Sequence, residues 1–354
     1  MKCPQYFVGI DLHKVIIQVC VLDDDGEIVE ERRLRSDSLE EGLEAVELVK
    51  RFSPARVAVE AVGMNRWLVN AFQRAGIDIV VVDPFKLNLR MLGKKTDRRD
   101  AFEIARRLRL GDIDRSAKTY FPTDEEYGVR KLLRTRHKLI SLRQQVSNQI
   151  RALLRAYRVP APSGVLYSKR AVAALRQLDL VNEHLGLCAE VLVDALEQLQ
   201  GHITRLGKSI DEVAKAPKAA ALVAELPGIG PQSAVTLIYE LGDVSRFRST
   251  RAVASYAGLV PRVTNSADKH HHGPITKRGN PELRWILGQW AVRLLHRHEL
   301  VRQWALPMRR RMCGSKIRVA LARKLLVGIY ILLRRGEAFS FERCLGMKPQ
   351  ASAQ

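Results

Sequence analysis

Apolar positions fall into two rhythms along the chain. Near its start they form short blocks separated by turn residues, the pattern of strands; further on they return every three or four residues, the period of helices. Residues 6–11, 15–22 and 27–35 read as three strands, with Asp23-Asp24-Asp25-Gly26 supplying turn chemistry between the second and third. A helix begins at Ser38 and carries an apolar face of Leu39, Leu43, Val46 and Val49. A fourth strand at 56–61, a helix around 65–75 and a strand at 77–83 complete the block.

The order βββαβα predicts a ribonuclease-H-like α/β fold for residues 1–122. In that arrangement the first and fourth strands lie side by side at the sheet centre, which brings Asp11 and Glu60 together although they are far apart in the chain. Asp11 closes the apolar run Phe7-Val8-Gly9-Ile10, and Glu60 interrupts Arg56-Val57-Ala58-Val59. Asp97 and Asp100 sit in Lys94-Lys95-Thr96-Asp97-Arg98-Arg99-Asp100-Ala101, spaced to share one face of a helix that starts there. Singly, each acid is an ordinary cap or ion-pair partner. As a set of four they predict a site for a divalent metal, Mg²⁺ or Mn²⁺, because an unpaired buried carboxylate is expensive and hard cations take oxygen ligands. Such an ion orients and polarises a phosphodiester.

The middle of the chain, 123–215, is predicted to be a helical coiled-coil spacer or dimerisation arm. Val129, Leu132, Leu139, Val146, Ile150, Leu153 and Tyr157 follow heptad steps, with Arg136 and Arg143 at two seam positions, until Pro160, Pro162 and Gly164 break the run. Leu192, Leu196, Leu199, Ile203, Leu206, Ile210 and Val213 alternate steps of four and three, a coiled-coil period. Two helices packed in one bundle satisfy the pattern as well as pairing between chains.

Residues 216–354 are predicted to be mainly helical. Leu226-Pro227-Gly228-Ile229-Gly230-Pro231, before a helix at 232–241, resembles the turn of a helix-hairpin-helix motif. There the backbone N–H groups around Gly228 and Gly230 approach a DNA phosphate at a helix N-terminus. An ordinary glycine turn is the alternative. The stretch from Tyr256 to Asn280 reads as a long polar loop of the kind that carries function; it holds Ser266 and the run His270-His271-His272, read as solvated rather than metal-binding. Between Val301 and Arg335 there are ten Lys or Arg and no acid, with one apolar stripe of Val319, Leu321, Leu325, Leu326, Ile329 and Leu332. A helix with that balance packs on one side and faces phosphate on the other.

Charge sharpens this picture. Across 354 residues, 59 Lys and Arg against 38 Asp and Glu give a formal net charge of +21, which points to a polyanionic partner, nucleic acid before any other. No apolar run is long enough to span a bilayer, so a membrane is not an expected partner. The first residues lack the apolar core of a signal peptide, and the five cysteines share no paired spacing; both point to a reducing cytoplasm with neither a disulfide framework nor a zinc site. The Lys and Arg of 86–118, Arg98-Arg99 and Arg106-Arg107 among them, suit a substrate whose phosphates meet the metal.

Taken together, Gly9-Ile10-Asp11-Leu12-His13-Lys14, Glu60, Lys95-Thr96-Asp97-Arg98-Arg99-Asp100-Ala101, Leu226-Pro227-Gly228-Ile229-Gly230, Tyr256-Ala257-Gly258-Leu259-Val260-Pro261 and Ile275-Thr276-Lys277-Arg278-Gly279-Asn280 resemble, in order and spacing, an insertion-sequence transposase family. That family has an N-terminal DEDD (RuvC-like) domain and a C-terminal serine domain, is related to the Piv DNA invertase and includes bridge-RNA-guided recombinases. The resemblance covers essentially the whole chain. It implies that Asp11, Glu60, Asp97 and Asp100 are a catalytic, metal-binding tetrad and that Ser266 is a nucleophile toward DNA, with Thr264 as a nearby hydroxyl. Where the family has glycine after that serine, this chain has Ala267. Arg262, Lys277 and Arg278 become candidate DNA contacts by proximity in sequence. The resemblance further implies a noncoding guide RNA and a dimer or tetramer. Two other classes fit the residues: a metal-dependent nuclease or Holliday-junction resolvase without a covalent intermediate, and a non-catalytic DNA-binding protein.

Overall fold

The computed structural model describes residues 5–83, 86, 96–178, 182–266 and 269–347; of the side chains at 39, 41, 116 and 263–272 nothing is described. The chain divides into two units, Met1–Phe121 and Pro122–Gln354. In the first, β1 (Tyr6–Leu12), β2 (Ile16–Leu22), β3 (Ile28–Arg35), β4 (Ala55–Glu60) and β5 (Asp78–Val82) form one mixed sheet in the order β3-β2-β1-β4-β5. β1, β2 and β3 pair antiparallel, while β1–β4 and β4–β5 are parallel. This is the expected ribonuclease-H-like order, with β1 and β4 adjacent at the centre.

Alternation along each strand sends successive side chains to opposite faces of the sheet. One face buries Val8, Ile10, Val19, Val57 and Val59 against helices α1 (Leu39–Lys50) and α2 (Arg66–Arg74). On α1 Ala45, Val46, Leu48 and Val49 face the core, whereas Leu43 of the expected stripe is 39% exposed and the Leu39 side chain lies outside the described residues. The other face is covered by α3 (Asp97–Arg109), whose Ile104 and Leu108 pack on Phe7, Ala58 and Val82, and whose Ala101 and Ala105 pack on Cys20 and Leu22. Gly9 belongs to that second face. A Cβ added there would lie 2.0 Å from the Ala101 carbonyl oxygen and 2.5 Å from the Ala105 nitrogen, so α3 lies flush on bare β1 backbone.

The second unit opens with α4 (Asp124–Ala156), started by a capping box in which Thr123 Oγ1 accepts from Glu126 N and the Glu126 carboxylate accepts from Thr123 N. After α5 (Lys169–Arg176), α6 (Glu183–Val213) runs antiparallel beside α4. Ile150 clusters with Val193 and Leu196, Arg143 Nη1 donates to Gln200 Oε1 at 2.5 Å, and Leu133 and Ile210 line one small cavity. The heptad pattern is therefore used for pairing within one chain. On α4 the buried positions are Arg130, Leu133, Ser147, Ile150 and Leu154. They lie one residue on from much of the predicted stripe, because the helix serves two neighbours rather than one seam; Tyr157 is exposed.

Among the described residues, seven further helices share one core: α7 (Pro217–Glu225), α8 (Pro231–Leu241), α9 (Thr250–Tyr256), α10 (Pro281–Arg297), α11 (Glu299–Arg309), α12 (Gly314–Arg335) and α13 (Phe341–Leu345). Between α9 and α10 the predicted polar loop is in fact a two-stranded antiparallel hairpin, β6 (Pro261–Ser266) and β7 (Lys269–Ile275). Val263, Thr264 and Asn265 pair with His272, His271 and His270. Backbone pairing alone makes such a ladder, so it left no apolar alternation to read. No helix among the described residues is long and apolar enough to cross a membrane.

The Gly9 contact sets an expected outcome for stability. Gly9→Ala forces a methyl group into backbone atoms of α3 and is expected to destabilise the first unit by about 1–3 kcal/mol, read as a lowered midpoint in urea denaturation. Gly63→Ala, whose Cβ meets nothing within 4 Å, is expected to leave the midpoint unchanged.

Candidate active site

Asp11 is buried near the end of β1, on the face that α3 covers. The β1–β4 register ends at Ile10 opposite Val59, so Asp11 and Glu60 occupy the next step of both strands. Asn65, buried just ahead of α2, donates from Nδ2 to the Glu60 carbonyl oxygen at 2.7 Å and so fixes the turn after β4. From the facing helix, Asp97 and Asp100 fall in the first turn of α3, capped by Thr96, where the helix dipole favours negative charge. Because α3 lies against Gly9, that first turn arrives beside Asp11.

A residue not singled out from the sequence completes the cluster. His13, just beyond β1, places Nε2 3.2 Å from Asp11 Oδ2 and 3.3 Å from Asp97 Oδ1. The signal was available: Asp-x-His in a strand puts both residues on one face. Ligand atoms of Asp11, His13 and Asp97 lie within 4.8 Å of one another, a donor set of two carboxylates and an imidazole that fits a divalent cation. The carboxylates of Glu60 and Asp100 stand outside that group of three. Asp100 nevertheless acts on Asp11. Burial raises the Asp11 carboxyl above its ordinary value, His13 opposes that shift, and the charges of Asp100 and Asp97 add to it.

The basic residues expected to meet substrate phosphate here are largely engaged within the protein. Arg98 pairs with Glu31 on β3, Arg106 and Arg107 lie 3.5 and 3.7 Å from Glu103, and Arg109 Nη1 donates to the Asp24 carbonyl oxygen at 2.9 Å. Arg98 and Arg109 brace α3 against β3 and the β2–β3 turn, while the Arg106 and Arg107 pairs lie within α3 itself. Lys94 and Lys95 lie outside the described residues.

In the second unit, the turn 226–230 joins α7 to α8, with Gly230 at the N-cap and Pro231 opening the helix. Trp290 Nε1 donates to the Pro227 carbonyl oxygen at 3.0 Å and Arg293 Nη1 to that of Gly228 at 2.8 Å. The β6–β7 hairpin stands on two interlocked loops. Gly279 (φ 137°) could carry no side chain, since a Cβ would lie 2.3 Å from the Tyr256 carbonyl oxygen. Asn280 donates its backbone N–H to that same carbonyl and caps α10. Behind them sits Glu240 of α8, fully buried: Arg134 holds it through two bonds of 2.8 and 2.7 Å, and Asn280 Nδ2 donates to it at 2.7 Å. Arg262, Lys277 and Arg278 are exposed around this base. The backbone of Ser266 ends β6; its side chain and that of Thr264, with Ala267 and Asp268 entire, lie outside the described residues.

Comparison with known proteins gives consistent likenesses. Residues 8–159 match a transposase family of the DEDD, IS110 kind, and residues 220–305 match the family described as Transposase IS116/IS110/IS902. The chain is 30% identical over 345 residues to the transposase for insertion sequence element IS1111A of Coxiella burnetii, across 94% of this chain and 90% of the relative. A probable family 20 transposase of Pseudomonas aeruginosa is 26% identical across 93% of this chain and 96% of its own length. The transposase for insertion sequence element IS1328 of Yersinia enterocolitica is 23% identical across 94% and 98%. Among solved structures, T. thermophilus RuvC in complex with Holliday junction substrate aligns with 32% of this chain and 99% of its own at 15% identity, with a TM-score of 0.26.

Three outcomes follow from the geometry. Mg²⁺ or Mn²⁺ at millimolar level is expected to raise the melting temperature of the wild type and not of Asp11→Asn or Asp97→Asn. With chelator present the sign reverses: the raised Asp11 value means that its charge costs the fold stability as pH climbs from the ordinary aspartate range through that value, so Asp11→Asn melts higher than wild type above that window. Glu240→Gln leaves Arg134 without its charge partner and is expected to cost about 3 kcal/mol, the lower end for breaking a buried pair because Arg134 keeps access to water; urea denaturation measures it.

Proposed function

The chain belongs to the IS116/IS110/IS902 family of transposases, enzymes of DNA strand transfer, and on that footing we propose that it cuts and rejoins DNA at insertion-sequence ends and target sites with the acidic site and Ser266 together. The observation that carries the proposal is the meeting of Asp11, His13 and Asp97 where β1 ends, with Asp100 close enough to perturb Asp11. Asp11, Glu60, Asp97 and Asp100 are the residues assigned to a divalent ion, Mg²⁺ or Mn²⁺. When bound, such an ion supplies positive charge that polarises the scissile phosphate.

The chain's own residues then divide the work. Asp11 and Asp97 set where a phosphate is held, and His13 orients both carboxylates. Ser266 is assigned as nucleophile: its Oγ attacks phosphorus, displaces a deoxyribose oxygen and conserves the ester energy in a phosphoserine bond until a second deoxyribose oxygen displaces the serine. Gly228 and Gly230, in a helix-hairpin-helix role, and Arg262, Lys277 and Arg278 are assigned to the DNA backbone, contacts that position without reading sequence. Residues 1–122 act as the acidic domain, 123–215 as the helical arm and 216–354 as the serine domain. A noncoding guide RNA selects the sites, and a dimer or tetramer lets different copies contribute the two halves.

One observation favours a second reading, a metal-dependent nuclease or Holliday-junction resolvase: the acidic cluster is assembled entirely within the first unit and needs no serine. Covalent trapping separates the two. Protein, Mg²⁺, supercoiled DNA carrying the element's ends and its flanking transcript are mixed and quenched with denaturant. A protein–DNA adduct that disappears in both Ser266→Ala and Asp11→Ala is the expected result. Cleavage without adduct, indifferent to Ser266→Ala and abolished by Asp11→Ala, overturns the serine mechanism.

A further inference from the structure

A cavity of about 280 Å³ opens beside the base of the β6–β7 hairpin, between α10 and α12. Ile275 and Val319 contribute to its apolar floor, and Lys277, Arg284 and Arg318 to its rim. No carboxylate is among the described residues that line it.

Three independent features make this more than a gap between helices. The first is Trp285, which lines the cavity and stays 36% exposed, with its indole stacked on His137 at 4.0 Å between ring centroids and 30° between planes. An exposed, braced aromatic ring surrounded by cations is the arrangement on which unpaired bases stack. The second is Gly288, almost one turn along α10 from Trp285. Glycine inside a helix costs stability relative to alanine, yet a Cβ built at Gly288 meets nothing within 4 Å. Packing does not require that glycine; its effect is to keep the cavity open. The third is Lys277, a non-glycine residue held at φ 52° on the rim. Left-handed backbone at such a residue is strained and concentrates at ligand sites. Arg284, already donating to the Ala257 carbonyl oxygen at 3.0 Å, is kept below its ordinary value by burial, so an anion brought to the rim gains a partner whose charge is incompletely solvated.

We propose that this cavity binds one unpaired nucleotide, its base stacked against Trp285 and its flanking phosphates neutralised by Lys277, Arg284 and Arg318. At about 280 Å³ the cavity lies just under the usual span of ligand pockets, about 300 to 1,000 Å³, a size for a single base rather than for a larger group. Duplex DNA offers only base edges and backbone, so a face-stacking pocket selects a nucleotide that has left the helix. The inference rests on nucleic acid being the partner of this family member and is independent of Ser266, since its test reads binding alone.

The test uses the full chain and short labelled oligonucleotides, followed by anisotropy, with intrinsic tryptophan fluorescence alongside. Oligothymidylate is expected to quench wild-type fluorescence, and Trp285→Ala to weaken its binding about 5- to 150-fold, the loss of one base–aromatic stack. Trp285→Ala also removes the His137 contact, so Gly288→Leu is the second variant: it fills the cavity, favours the helix, and is expected to weaken binding to a similar degree with an unchanged or raised melting temperature. An abasic strand of equal length is expected to bind wild type and both variants alike. Tighter binding of oligothymidylate than of oligouridylate assigns the nucleotide to DNA, and the reverse assigns it to RNA; loss in both variants supports the pocket in either case. Equal affinity of wild type and Gly288→Leu, or equal binding of abasic, duplex and single strands, overturns it.

Discussion

The acidic site exists because a helix touches a strand with nothing in between. At Gly9 the β1 backbone meets the Ala101 carbonyl directly, and this sets the height at which α3 rides over the sheet. The first turn of α3 carries Asp97 and Asp100, so the separation of two carboxylates from Asp11 is governed by a residue that bears no functional group. Three further ties keep the helix seated: the small side chains of Ala101 and Ala105 on Cys20 and Leu22, Arg98 on Glu31, and Arg109 on the Asp24 carbonyl. Charges held so close repel, and burial of Asp11 compounds it. Packing elsewhere in the unit offsets that repulsion, the usual relation between a reactive site and its scaffold.

How much of this the sequence carried depends on whether the relevant pattern is local. Strands and helices of the first unit were legible because their periods are local, and the adjacency of Asp11 and Glu60 followed from strand order alone. His13 does not stand out in the sequence although Asp-x-His is a one-face pattern, because an isolated histidine after a strand is usually solvated. The arginines of α3 suit substrate phosphate by sequence; the Glu103 pairs of Arg106 and Arg107 are local helix spacings, whereas Glu31 and the Asp24 carbonyl are identified as partners of Arg98 and Arg109 only by the packing of α3. The middle region is helical as its period implies, but much of the burial on α4 is shifted from the heptad stripe, and periodicity cannot say which helix is the partner: α4 packs on α6 of its own chain. The β6–β7 hairpin was unreadable for a different reason: polar residues make backbone ladders without leaving an apolar alternation.

The two units solve the same positioning problem by opposite means. In the first, carboxylates are set by steric contact against a sheet, and their charges remain in tension. In the second, the loops beneath the β6–β7 hairpin are set by a saturated polar network in which Glu240 receives Arg134 and Asn280, and Asn280 in turn caps α10 and bonds the Tyr256 carbonyl. A network of that kind specifies one arrangement, since any slippage strands a buried charge.

The depth of Glu240 carries a practical meaning for a protein of charge +21. Contacts between Lys or Arg and phosphate weaken steeply as salt rises, because binding releases condensed counterions. A carboxylate with no exposed surface, held by a bidentate arginine, is screened by mobile ions far less than a charge on the surface. Brine strong enough to strip adhering polynucleotide from the surface therefore leaves the footing of the hairpin intact.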